Sequence, residues 1–193
     1  WNRDSIGVGS MAFGFDAKAK GLVSFAAGRF TQSLGAQSTA FGYFSTAAGN
    51  NSFAGGFSTL AANENSFAIG DQSQALGYSS VSMITGNISR GNYSFSAGIF
   101  NIAKARNGFV VGAYSDTTDT PTDTDNPADR IFQIGNGISN NQRSNALTVL
   151  RNGSIGVGIS SPLARIDTKD RILIRGGGTL LSSPGVLFTG VTV

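Results

Sequence analysis

The chain has 193 residues, a formal charge of +3 and 27 glycines, and only 13% of its residues are charged. This composition is too apolar for disorder, too rich in glycine for a helical bundle, and lacks the every-third-residue glycine of collagen. With no cysteine and no histidine, there is no disulfide framework, thiolate metal site or imidazole base, and the mild charge exerts no strong pull on nucleic acid. No apolar run reaches the roughly 18 residues of a membrane-crossing helix. The opening Trp1, without a methionine or signal peptide, and the ending "TGVTV" lead us to read the sequence as a segment of a longer protein.

From Ser10 onward the chain repeats itself. Ser10, Ser24, Ser38, Ser52, Ser66, Ser80 and Ser94 lie 14 residues apart, with Gly108 next. Four positions later run Gly14, Gly28, Gly42, Gly56, Gly70, Gly98 and Gly112, interrupted at Ile84. Half a period along lies a second row, Gly7, Gly21, Gly35, Gly49, Gly77 and Gly91, in which Asn63 and Ala105 are substitutes. Each half is too short for a helix with its loop, but suits about five residues of strand and about two of turn. Glycine is expected to supply positive φ at the turns. Two strands per repeat make one coil of a flattened all-β solenoid, and roughly seven coils stack into a rod of about 35 Å.

Strand alternation assigns the faces. Ala12, Ala26, Ala40, Ala54 and Ala68 continue into Ser82 and Ser96 and form a row small enough for the roll interior, as does its echo from Ala19 to Ala103. The opposite face of the first half is a ladder of large apolar groups: Phe13, Phe25, Phe41, Phe53, Phe67, Ile69, Phe95 and Phe109. In the second half, Lys18, Gln32, Thr46, Leu60, Gln74, Ile88 and Ile102 mix polar and apolar groups and suit water. Full burial of one Phe stabilises by about 1.5–3 kcal/mol, and so long an apolar stripe exceeds what monomers expose. The ladder therefore predicts a homo-oligomer with the Phe row on its axis.

The stretch "NSFAIGDQSQALGYSS" resembles the head repeats of trimeric autotransporter adhesins, the YadA-like head, over about residues 3–112. The resemblance implies a left-handed parallel β-roll and three chains about one axis. The departure "SVSMITGNISRG" predicts a local irregularity near Ile84.

After Gly112 the period stops. The acidic stretch from Tyr114 to Arg130 holds Asp116, Asp119, Asp123, Asp125 and Asp129 with Pro121 and Pro127, and reads as a solvated loop or linker that caps the last coil. Calcium is the alternative there, but the spacing lacks the glycine and distal glutamate of an EF-hand. "DRIFQIGNG" reads as a strand, and "NALTVLRNGSIGVG" as strand, Asn152-Gly153 turn and strand. "ALTVLRNGSIGVGISSPLARID" resembles a connector of bacterial surface fibres and phage-tail-fibre-like proteins, and "RILIRGGGTLLSSPGVLF" the start of a further β module. "RGGGT" lacks the spacing and lysine of a P-loop and reads as a turn. The expected division is head at 1–112, acidic linker at 113–130, and connector with the start of another module at 131–193.

No histidine is present to activate a serine, and Asp16 and Asp71 fall at turns, so we expect no catalytic residue, cofactor or metal. The leading function is a non-enzymatic trimeric adhesin, extracellular, with itself as partner and a host or environmental protein, matrix or glycan as ligand. Nucleic acid and membrane are not expected partners. Lys18 and Lys20, together with Arg143, Arg151, Arg165, Lys169, Arg171 and Arg175, are places for an acidic partner. The alternatives are a receptor-binding tail fibre of a phage or contractile injection system and, third, an ice-binding solenoid, which would need a regular Thr ladder.

Overall fold

A computed structural model describes residues 6–121 and 124–170. The strands are β1 (Met11–Phe13), β2 (Lys18–Ala19), β3 (Phe25–Arg29), β4 (Gln32–Ser33), β5 (Thr39–Tyr43), β6 (Thr46–Ala47) and β7 (Phe53–Phe57). They continue as β8 (Leu60–Ala61), β9 (Phe67–Asp71), β10 (Gln74–Ala75), β11 (Val81–Thr85), β12 (Ile88–Ser89), β13 (Phe95–Ile99) and β14 (Ile102–Ala103). The last are β15 (Phe109–Ala113), β16 (Arg130–Asn136), β17 (Asn145–Leu150), β18 (Ile155–Val157) and β19 (Ile166–Thr168). Among the described residues there is no helix. Odd-numbered strands from β1 to β15 stack in parallel as one sheet, and even-numbered strands from β2 to β14 form a second, 7-stranded sheet. Each residue pairs with the one 14 places on, as Ala40 does with Ala54 and Gln74 with Ile88. The chain is thus an all-β parallel solenoid with 14-residue coils.

The two halves of a coil are unequal, which corrects the expectation of equal strands. The first half carries five residues of strand and the second only two, as in Phe25–Arg29 and Gln32–Ser33. The short ladder ends because Leu34 and Gly35 both donate to one carbonyl, that of Ala47, at 2.8 and 3.4 Å. Between the sheets, Ala26, Ala40, Ala54 and Ala68 are fully buried against Ala19, Ala47, Ala61 and Ala75, while Ala12 is half-buried.

Glycine acts differently from the expectation. Gly28 has φ 129 inside a strand, whereas the tight turns place side-chain-bearing residues at positive φ, among them Phe30, Gln37, Phe44 and Asn51 at 53 to 58. Gly35 has no positive φ; a Cβ there would lie 2.0 Å from the carbonyl oxygen of Gly49. Its row answers the close approach of successive coils, and Asn63 interrupts it within the stack. The row gives way to Ala105 just after β14, beyond which the short sheet has no further strand. The irregularity expected near Ile84 is present but narrow. β11 keeps full register with both neighbours, and the disturbance is confined to the backbone, where Ile84 takes φ 84.

The long sheet does not stop at Gly112. Phe109 pairs in parallel with Phe132 and Gly112 with Gly135, because "FQIGN" repeats the pattern of "FVVGA" after the loop. β16 then pairs antiparallel with β17, β17 with β18 across the Asn152-Gly153 turn, and β19 adds in parallel. Over the described residues, 131–170 extend the same sheet, which corrects the expectation of a separate module. The stretch "RILIRGGGTLLSSPGVLF" lies outside the described residues.

The thin interior generates two predictions. Ala68→Leu overpacks the roll and is expected to cost about 1–3 kcal/mol, while Gln74→Leu on the outer row leaves the thermal midpoint nearly unchanged. Equal shifts for the two would reverse the face assignment. Gly35→Ala forces a Cβ onto backbone rather than a movable side chain, and is expected to cost about 3 kcal/mol. Urea unfolding that shows less than about 1 kcal/mol would mean the coils separate easily.

Candidate functional site

The long-strand face carries the apolar ladder. Phe13, Phe25, Phe41 and Phe109 are exposed, and Phe53, Phe67, Ile69 and Phe95 half-buried. Fourteen-residue spacing stacks Phe53 on Phe67 at 4.8 Å, while Phe41, 12 residues before Phe53, meets it edge-on and diagonally at 5.3 Å. Phe95 stacks on Phe109 at 4.7 Å, and Phe109 on Phe132 at 5.5 Å. Val81 interrupts the row between Phe67 and Phe95. Phe132, outside the repeat in sequence, extends the ladder by one rung. These residues form a stripe along the roll, broken at Val81, rather than a cluster.

A second aromatic group lies at the turn after the long strands. Phe15, Phe30, Tyr43, Phe44 and Phe57 contact one another, with Phe30 stacked on Phe44 at 4.7 Å and Tyr43 on Phe57 at 5.4 Å. The Arg29 guanidinium lies 5.1 to 5.6 Å from the ring centres of Phe15, Phe30 and Tyr43. Sequence reasoning passed over it. The available signal was that Phe30 and Phe44, like Tyr43 and Phe57, stand one repeat apart.

The acidic stretch is a loop fastened to the roll by ion pairs while residues 124–128 stay exposed, so it is solvated only in part. Arg130 is buried, with its Nη1 2.7 Å from Asp116 and 3.6 Å from Asp119. Arg151 reaches Asp129 at 3.5 Å and Asp125 at 3.4 Å, and Lys104 reaches Asp119 at 3.8 Å. Burial pushes the Asp116 pKa up, but hydrogen bonds from the Thr118 hydroxyl and N–H and from Arg130 outweigh it, bringing the pKa down to about 2. Burial raises that of Asp119, against the pull of Arg130 and Lys104. Cations of the chain itself therefore engage the carboxylates considered for calcium; Asp123 lies outside the described residues.

The basic residues considered for an acidic partner are also placed. Arg151 is tied into the loop, Lys18 pairs with Asp16 at 3.4 Å, and Arg165 donates to the Asn152 carbonyl. Lys20 and Lys169 are exposed, and Arg171 and Arg175 lie outside the described residues. Arg143 faces a groove on the short-strand face.

Residues 5–31, 33–59 and 61–83 match the YadA head domain repeat family. Residues 5–83 thus carry head repeats of the YadA type. That family is one of adhesins rather than enzymes, homotrimeric and displayed at the cell surface. No curated protein and no solved structure matches the chain.

The loop's ion pairs set a pH dependence. The folded pKa of Asp116, about 2, lies below its ordinary 3.8, so its contribution to stability is complete above about pH 4 and is lost as pH falls through about 2. Asp119, with a raised pKa, contributes in the opposite sense, losing stability as pH rises through its folded value. Asp116→Asn is expected to destabilise by about 1.5–3 kcal/mol near neutrality, with the gap to the parent closing as pH approaches 2. Thermal unfolding of both proteins across that range is the check; a gap independent of pH would remove the ion pair as its cause.

Proposed function

We propose that residues 1–112 form the head of a non-enzymatic, trimeric, fibrous adhesin that attaches to host or environmental surfaces, its roll left-handed and its three chains packed about one axis. The observation that carries this reading is the apolar ladder on the outside of the roll, from Phe13 to Phe109, which a single chain leaves open to water. Closing it against two copies gives each Phe a partner and each chain the same environment. The roll interior has no room for these rings, since Ala40 and Ala68 are already fully buried.

Residues 113–130 then act as a clasp, and 131–193 as the beginning of a connector, a division of roles along a sheet continuous over the described residues. Three parallel heads present each outward surface three times, which raises avidity without new contacts. A tail fibre shares the same trimer and differs in the particle that carries it. The short-strand face does not favour an ice-binding surface: Lys18, Gln32, Thr46, Leu60, Gln74, Ile88 and Ile102 are not a Thr ladder. The location that follows is extracellular, with the chain itself as the first partner.

Sedimentation of the chain is expected to give one species of three chains, unchanged by dilution. Phe53→Ser with Phe67→Ser exposes hydroxyls where rings meet and is expected to lower the trimer's thermal midpoint and bring dissociation into the micromolar range. A well-folded monomer from the parent sequence at low concentration would overturn the reading.

A further inference from the structure

The geometry points to a binding groove on the short-strand face for an acidic sugar, a pyranose ring bearing one carboxylate. The groove has a volume of about 300 Å3 and crosses several coils. Gln74, Ile88 and Ile102, the outward residues of β10, β12 and β14, form its floor, and Phe100 lies at one end. Asn140 and Arg143, from the turn between β16 and β17, form the wall. That volume falls at the small end of the usual ligand range of roughly 300–1,000 Å3, enough for one ring.

Arg143 is the first reason. It folds back across the chain, its Nη1 donating to the carbonyls of Phe100 at 2.8 Å and Ser115 at 3.1 Å and its Nη2 to Asn140 Oδ1 at 2.6 Å. Its guanidinium stands 5.8 Å from the Tyr114 ring centre. Arg106, Arg130 and Arg151 each have an aspartate within ion-pair distance, and Arg143 has none among the described residues. Burial lowers its pKa, with Tyr114 and Asp116 acting the other way. A partly desolvated guanidinium with uncompensated charge attracts an anion, and its Nε and remaining Nη2 proton supply two donors for two carboxylate oxygens.

The second reason is the departure at "SVSMITGNISRG". In the neighbouring coils the strand glycine is Gly70 or Gly98 and the following turn residue is Gln72 or Phe100. Here the glycine has moved two places, leaving Ile84 at φ 84 and putting Gly86 at the turn. The Phe100 ring occupies the vacated space; a Cβ on Gly86 would lie 2.4 Å from its ring carbons. Positive φ is unfavourable at a β-branched residue, and such strain persists at sites that use it. With glycine rather than a side chain at residue 86, the Phe100 ring packs against that turn and forms an apolar end wall. The third reason is the chemistry of the lining. Amides of Gln74 and Asn140 suit ring hydroxyls, while Phe100 and Ile88 suit the C–H face of a sugar.

The biological use of the groove rests on the attachment reading. Its occupancy is tested on the whole chain by calorimetric titration with methyl β-D-glucuronide, beside methyl β-D-glucoside and sodium acetate. The expected result is saturable binding with a dissociation constant on the order of 1 mM, and binding of the neutral glucoside and of acetate weaker by about tenfold or more. Arg143→Gln is expected to weaken glucuronide binding by about tenfold, whereas Arg90→Gln leaves it unchanged. Because Arg143 also holds two carbonyls, Gln74→Leu is the second variant, expected to weaken binding by about threefold with the thermal midpoint unmoved. No binding by a folded chain, equal binding of acetate, equal losses in the Arg143 and Arg90 variants, or no loss in Gln74→Leu would each overturn the groove. Sedimentation of the same samples separates the two readings. A trimer that does not bind removes the groove and leaves the head, and a binding monomer removes the trimer and leaves the groove.

Discussion

The structure depends on how closely one coil lies on the next. At Gly35 the carbonyl oxygen of Gly49 lies 2.0 Å from where a Cβ would stand, and Gly21, Gly49, Gly77 and Gly91 meet the following coil in the same way. Removal of one methyl group per half-coil therefore allows the parallel ladders to continue at their natural spacing. The same thinness governs the interior, where Ala26 to Ala68 face Ala19 to Ala75 with no exposure. A roll this narrow contains no large side chain in its repeating part. The phenylalanines of the repeat must lie outside, and their open ladder is a consequence of the close coil contact.

A thin roll has few apolar contacts to hold its corners, so hydrogen bonds hold them. Ser24, Ser38, Ser52 and Ser80 each donate to the carbonyl three residues back, at 2.6 to 2.9 Å. At the other corner lies a fully buried polar row, Thr31, Ser45, Thr59, Ser73, Asn87, Asn101 and Ser115. Asn87 donates to the carbonyls of Met83 and Gly98 at 2.6 Å, and its Oδ1 accepts from the N–H of Asn101. Asn101 repeats this with Ala97, Gly112 and the N–H of Ser115. Buried carbonyls left unpaired would cost about 1–3 kcal/mol each, and these bonds satisfy those around the turn at Phe100, a residue held at positive φ.

The repeating part was legible in the sequence because its constraints are local. Parity within a strand separates Ala68 from Phe67 and Ile69, and the interval of 14 returns each residue type to its place. The buried polar row was present at the same interval, but Thr, Ser and Asn at a corner look like ordinary turn residues until their depth is known. The acidic stretch was misjudged for a different reason. Its order comes from Arg130, Arg151 and Lys104, which approach only once the coils are stacked, and no local pattern marks Asp116 as the partner of Arg130. The continuation into β16 was likewise hidden, because the loop lengthens one coil and removes the interval that made the others visible.

That lengthened coil resolves a problem at the end of any parallel roll. The short sheet stops at β14, while the long sheet continues through β15 and β16. The interior row changes accordingly from Ser96 to Val110 and then Gln133, all buried. Gln133 accepts a bond from Asn145 at 2.8 Å, and Asn145 accepts one from the N–H of Asp116 at 2.8 Å, so the interior there is filled by a connected polar group. The loop covers this region through Arg130, whose burial is tolerated only because two carboxylates face it. With the end supported, β16 pairs with β15 as another coil would and turns its far edge to β17 in antiparallel fashion. The long strand that would otherwise offer a bare parallel edge to any passing chain is therefore paired on both sides, and the growth of the solenoid ends without a helix or a disulfide to stop it.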